Sequence, residues 1–229
     1  FYASLDKVPL DSYGKADFES VYALDVNEIH ECFSKLINES YCDMPRFDFK
    51  VAKRAEDRIR VELDDNSLAI VEGIHALNPL LHISLPKDRL FKLYISVSSS
   101  VFEDGKVALN SRQLRLCRRM SRDYIYRNCS AQNTLSMWQS VLSGEEKYLY
   151  PFKKTADYRF DTFHAFEPAV LKKNIEEIIY DVPEESPYYS YAEELISGLR
   201  AITAISPQPV PEDSLIREFI KGGIFEKNY

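Results

Sequence analysis

This 229-residue sequence predicts an α/β layered fold with a largely parallel sheet. Segments of strand character alternate along the chain with segments of helical period, the order that builds such layers. One strand candidate, Ser67 to Val71, is a continuous short apolar run, the pattern of a strand buried on both faces. Hydrophobic residues make up 45% of the chain and charged residues 28%, so one soluble domain with a full core is expected, with room for an appendage.

Taken in order, Phe1 to Leu24 is polar, is punctuated by Pro9 and Gly14, and reads as a long surface excursion. Loops of that length are usually functional, which suggests an element ahead of Phe1. Asp25 is placed as an N-cap, and Val26, Ile29, Phe33, Leu36 and Ile37 follow at helical spacing to about Glu39. Pro45 marks a turn. Arg58 to Leu63 alternates as a strand, Asp64 to Asn66 turns, and Ser67 to Val71 is the buried strand. Leu90 to Val97 is a third strand candidate, and Ser98 to Asn110 a Ser-rich connector. Helices are predicted over the arginine-rich stretch and over Thr134 to Leu142, a short strand over Ala156 to Phe160, and helices over Pro168 to Tyr180 and Tyr191 to Ile202. A boundary falls near Val182 to Pro187, giving domains 1–182 and 183–229, the latter a small helical appendage with three prolines between Ser206 and Pro211.

Several function classes are set aside by composition. No run of 18 apolar residues and no charged-then-apolar leader at Phe1 supports a membrane span or a secretory signal, so a cytoplasmic protein is expected. Cys32, Cys42, Cys117 and Cys129 match no zinc spacing and read as reduced thiols; four scattered histidines offer no metal site. A net charge of -7 argues against direct nucleic-acid binding, which needs a sustained basic face. A nucleotide-sized anion fits better than a polymer.

Against that acidic background, Arg112, Arg115, Arg118, Arg119, Arg122 and Arg127 crowd one lysine-free segment. The planar guanidinium fork matches phosphate bidentately, so phosphate chemistry is the first hypothesis. The alternative is a solvated amphipathic helix, with Arg112, Arg115, Arg119 and Arg122 at steps of three and four and Leu114, Leu116 and Met120 between them. The buried strand candidate ends in Glu72-Gly73, placing one carboxylate at the carboxyl edge of the sheet, where open α/β folds bind ligands. A hard cation such as Mg²⁺ takes oxygen ligands there. A strand-end glutamate capping the next helix is the alternative.

Ordered motifs join these features: Phe1-Tyr2, Asp17-Phe18-Glu19 with Ala23-Leu24-Asp25, Pro45-Arg46-Phe47-Asp48-Phe49 through Arg54, Val71-Glu72-Gly73-Ile74, Arg118-Arg119-Met120-Ser121-Arg122-Asp123 with Arg127, and Pro151 followed by Ala156-Asp157. From Phe1 to about Lys172 the chain resembles the uridine kinase and phosphoribulokinase family of P-loop kinases. With Arg54, the Asn-Pro after His75, and the ending Ile216 to Gly223, it looks closest to long uridine kinase-like proteins carrying a threonyl-tRNA synthetase-like N-terminal region.

The resemblance implies a P-loop kinase-like, doubly wound, mainly parallel sheet with flanking helices and an arginine-rich lid helix. It implies ATP and Mg²⁺ as cofactors, with Glu72 at the metal. Glu19 would hydrogen-bond the ribose hydroxyls and Arg119 would also reach the ribose, while Arg122 and Arg127 would close over the phosphates. The sequence departs from the family in two ways. None of its seven glycines forms a Walker A loop, and the family's base aspartate, which precedes the Phe-Tyr, has no counterpart. Both losses lie at one end, so the chain is expected to start partway through a longer protein. At the family's uracil readers stand Phe47, Ala52 and Met137, which remove hydrogen-bonding groups and make uridine a doubtful acceptor.

The expected function is ATP-dependent phosphoryl transfer to a hydroxyl of a small nucleoside- or sugar-like acceptor. The alternative is a non-catalytic nucleotide sensor coupled to a tRNA-synthetase-like domain. Tyr188, Tyr189, Tyr191, Phe219 and Phe225 offer a surface for a homo-oligomer, with simple packing as the alternative.

Overall fold

A computed structural model describes residues 1–10, 14, 16–48, 51 and 53–226. In chain order its main elements are α1 (Val26–Asn38), β1 (Tyr41–Asp48), β2 (Lys53–Glu62), α2 (Pro79–His82), β3 (Leu93–Ser96), β4 (Val101–Glu103), β5 (Lys106–Leu109), α3 (Ser111–Arg127), α4 (Ala131–Gly144), β6 (Tyr158–Asp161), α5 (Glu167–Ile179) and α6 (Tyr189–Arg200). The architecture is mixed α/β. Tyr158 N–H donates to Lys92 O at 3.2 Å and Thr162 N–H to Ser96 O at 3.1 Å. Both partners advance by the same step, so β6 runs parallel to β3. Two compact units divide the chain: Phe1–Tyr94 with Leu142–Arg159, and Ile95–Val141 with Phe160–Tyr229. Residues 183–229 fall inside the second unit.

In the first unit, Asp25 caps α1 as its sequence position predicts, its Oδ1 accepting from Glu28 N–H at 3.1 Å. Ile29, Cys32 and Leu36 recur at helical steps and are buried. Ile29 packs with Val21, Leu81 and Phe33, and Cys32 and Leu36 pack with Cys42, Met44 and Val61. The opening segment is not the surface excursion expected. Ala3, Val8, Val21 and Ala23 are buried, and Ala3 N–H donates to Ala23 O at 2.8 Å. Short 3₁₀ turns at Leu5–Lys7 and Val21–Ala23 let a sequence with no sustained period fold back and bury these four residues, while Leu5, Leu10, Phe18 and Tyr22 stay exposed.

Pro45 also departs from expectation, because it lies within β1 and not at a turn. The antiparallel β1–β2 ladder shifts register between Pro45 and Phe47, an irregularity that tolerates a residue with no N–H to donate. The largest correction concerns Ser67 to Val71. It is not a strand, and Leu68 and Ile70 are 83% and 86% exposed. An apolar run becomes a buried strand only with ladder partners, and among the described residues no strand pairs with it.

In the second unit the Ser98 to Asn110 connector contains an antiparallel hairpin, β4–β5. Its turn is Asp104-Gly105, at φ of 48° and 77°, the left-handed pair that a two-residue hairpin requires. Asn110 and Gln113 then form a reciprocal capping box that starts α3, and left-handed Asn128 ends it. Leu109, Leu114, Met120, Leu171, Ile175, Leu195, Leu199 and Ile216 are fully buried and form the core of this unit. At the end of β6, Asp161 accepts from Ser98 and Phe163 N–H, each at 3.0 Å, and from the Ser99 hydroxyl at 2.6 Å. Burial works against ionisation of Asp161, but these donors outweigh it and hold the carboxyl below its usual range.

Candidate functional site

The candidate residues fall in both units. In the second unit, α3 sets its arginines at steps of three and four, and the structure separates their roles. Arg118 is structural. Its Nε and Nη2 embrace the carboxylate of Glu167, and Nη1 and Nη2 reach Thr162 Oγ1 at 2.9 Å and Thr162 O at 2.6 Å. Glu167 is 1% exposed, so this pair bolts α3 to the start of α5 in the interior.

Arg119 and Arg127 flank Asp123 at i−4 and i+4. Asp123 is 1% exposed; its Oδ1 takes Arg127 Nη1 at 2.8 Å and its Oδ2 lies 3.3 Å from Arg119 Nε. The hydroxyl of Thr134, on α4, donates to the same Oδ2 at 3.3 Å. One buried carboxylate therefore fixes two guanidinium groups on one face of the helix. Arg122 Nη1 donates to Glu218 at 3.1 Å. A solvated helix face would leave such chains in water, yet the side chains of Arg119 and Arg122 are only 23% and 29% exposed. Moreover, the Nε of Arg122 is buried with no hydrogen-bond acceptor, while that of Arg119 lies against Asp123. A buried cationic donor lacking an acceptor is costly alone, and an anionic oxygen is the kind of partner it lacks.

In the first unit, Glu19 is exposed and sits on a turn whose geometry comes from Asp17, which accepts Glu19 N–H at 3.1 Å and the Tyr148 hydroxyl at 3.0 Å. The ring of buried His75 stacks edge-on against Tyr148 at 5.4 Å, and burial pulls the His75 imidazole below its usual pKa. Phe47 lies against Tyr2, ring centroids 5.2 Å apart. Arg54 is an internal tie, with Nε to Tyr2 O at 2.9 Å and ion pairs to Asp25 at 3.3 Å and Glu28 at 2.5 Å. Glu72 is exposed and precedes Gly73, whose φ of 146° suits glycine. Among the described residues no cluster of three His, Cys, Asp or Glu is arranged for a metal. A single carboxylate is nonetheless a sufficient protein contribution for a Mg²⁺ held mainly by phosphates and water. Met137 is 42% exposed on α4, and Ala52 lies outside the described residues.

With this geometry in place, comparison with known proteins is decisive. A model of the phosphoribulokinase / uridine kinase family matches residues 11–167. The chain belongs to that family. It is 28% identical over 159 residues to uridine kinase-like protein 5 of Arabidopsis thaliana, a match covering 69% of this chain and 30% of that protein. It is 25% identical to the uridine kinase of Clostridium perfringens, over 69% of this chain and 67% of that protein, and 23% identical to that of Halobacterium salinarum, over 69% and 62%. The chain thus spans under a third of the Arabidopsis relative and about two thirds of the bacterial one. The α/β fold with its parallel strand pair and flanking helices is consistent with the P-loop kinase fold of this family, as the sequence predicted. Among the described residues no helix is long and apolar enough to cross a membrane.

Two residues of the arginine site carried no role in the sequence reading. Asp123 was visible as the centre of an Arg-x₃-Asp-x₃-Arg spacing, which places both arginines beside it on a helix. Glu218 lies 96 residues from Arg122 and left no local signal.

Proposed function

We propose that this protein is an ATP- and Mg²⁺-dependent phosphotransferase of the nucleoside kinase type, moving the γ-phosphate of ATP to a hydroxyl of a small nucleoside- or sugar-like acceptor. The observation that carries this reading is the α3 cluster, with Arg119 and Arg127 fixed by a buried Asp123 and the buried Nε of Arg122 lacking an acceptor, in a chain of this kinase family. Bound ATP with Mg²⁺ supplies the transferable phosphoryl group and partial neutralisation of its charge. Arg119, Arg122 and Arg127 bind the phosphates and stabilise charge spreading onto the transferred group, and Arg119 also reaches the acceptor's ribose. Glu19 accepts hydrogen bonds from the acceptor hydroxyls, and Glu72 offers an oxygen to the metal. Phe47 packs against the acceptor without reading its edge, and with Ala52 and Met137 it leaves a base unrecognised. Uridine is therefore disfavoured relative to acceptors defined by their hydroxyls. Free thiols at all four cysteines support a reducing, cytoplasmic setting.

The test is ATP turnover and phosphate transfer by the intact protein against a panel of nucleosides and sugars, with calorimetry for nucleotide binding. Arg122→Ala is expected to weaken ATP binding by about ten- to a hundredfold, the loss of one charge-assisted hydrogen-bonded contact. Unchanged affinity would overturn the assignment of the cluster. Tight ATP binding with no transfer to any acceptor would instead favour the nucleotide sensor.

A further inference from the structure

The match to the kinase family ends at residue 167, yet a residue far beyond it touches the arginine cluster. The segment after Pro207 is anchored at several points within the second unit. Arg217 donates from Nε to Val210 O at 3.1 Å, from Nη2 to Pro207 O at 3.2 Å and from Nη1 to Lys221 O at 3.1 Å, so one guanidinium gathers the carbonyls of the loop. Ile216 and Phe219 are buried on either side of it, and the Tyr126 hydroxyl of α3 donates to Glu226 at 3.2 Å. Between these anchors Glu218 is held against Arg122, with the two side chains 26% and 29% exposed.

The manner of contact distinguishes two roles. A carboxylate that took both donors of a guanidinium edge, such as Nε and Nη2, would block bidentate binding of an anion there. Glu218 instead takes Nη1, and Nε on the other edge remains buried without an acceptor. An arginine held by one nitrogen loses little further rotamer freedom when its other edge meets a phosphate, so the ordering cost falls before the ligand arrives.

We propose that Glu218 is a positioning residue for Arg122, and that the C-terminal segment Ser214 to Glu226 is a working part of the phosphate site. This inference rests on the phosphotransferase reading above. Glu218→Ala and Glu218→Gln in the intact protein test it, with ATP affinity by calorimetry, kcat and KM for ATP and for the acceptor, and Tm. The expected result for Glu218→Ala is a rise of about three- to tenfold in both the Kd and the KM for ATP, in the range of a partly exposed ion pair with oriented geometry. The KM for the acceptor stays unchanged. Glu218→Gln, which keeps a hydrogen-bond acceptor, shows a smaller rise. A lowered Tm with ATP affinity unchanged would reduce Glu218 to a structural contact and overturn the proposal. Tighter ATP binding by either variant would overturn it too, because it would make the pair a competitor of phosphate. Failure of the wild-type protein to bind ATP at all would be a different result, refuting the phosphotransferase reading itself.

Discussion

Replacing Arg118 by alanine should cost this protein a large part of its stability. Arg118 is only 15% exposed and Glu167 1%, and the guanidinium also serves Thr162 through its hydroxyl and its carbonyl. Its removal leaves a buried carboxylate without its guanidinium partner, with only the His164 ring 4.0 Å away, a change that costs about 3–5 kcal/mol. The whole margin of a folded domain is only about 5–15 kcal/mol. With a urea slope of about 3 kcal/mol/M, the unfolding midpoint should fall by about 1–1.7 M. The comparison is Lys173→Ala, which breaks an i,i+4 pair to Glu177 at 4.0 Å whose side chains are 81% and 66% exposed. Such a surface pair is worth about 0.5 kcal/mol or less, and its midpoint should barely move. A paired replacement, Arg118→Met with Glu167→Leu, removes both charges and should recover most of the loss. Urea unfolding followed by circular dichroism measures all three. An Arg118→Ala midpoint no lower than that of Lys173→Ala would refute the reasoning.

Three further outcomes are expected. A methyl group at Gly198 of α6 would sit 2.2 Å from Ala108 O and 2.5 Å from Leu109 Cδ2, against backbone that cannot swing away, so Gly198→Ala should destabilise by about 1–3 kcal/mol and lower the Tm. Burial pushes the Cys117 thiol up to about 12, the Glu167 charge adding to it, and burial with a hydrogen bond to Cys42 does the same for Cys32, from a usual value of 9.0. A raised folded-state pKa gives stability that is complete below the unfolded value and is lost as pH rises through the folded one, so Tm should hold up to about pH 9 and fall toward pH 12. A Tm independent of pH across that window would show the thiols to be accessible. In the native protein a thiol reagent near pH 8 should label Cys129 well before the three buried cysteines, and denaturant should expose all four.

What the sequence alone determined here is local in origin. The Asp25 cap, the α1 period and the length of α3 were legible because capping and helical spacing act within a few residues. So was the clustering of the arginines, since steps of three and four on one helix place side chains together whatever surrounds them. The Asp104-Gly105 turn carried an equally local signal, hidden inside a stretch whose composition suggested a plain connector. Tertiary structure decided which arginine does what. Arg118 and Arg119 are neighbours in sequence with the same chemistry, yet one turns inward to Glu167 and the other pairs with Asp123 on its own helix, because adjacent helical positions point about 100° apart and meet different partners. The contact of Glu218 with Arg122 likewise depends on how the C-terminal segment packs. The same physics explains Ser67 to Val71, whose apolarity was plain in the sequence and whose burial was not. Hydrophobicity is a property of residues, whereas a strand's burial depends on partners that only the assembled fold supplies.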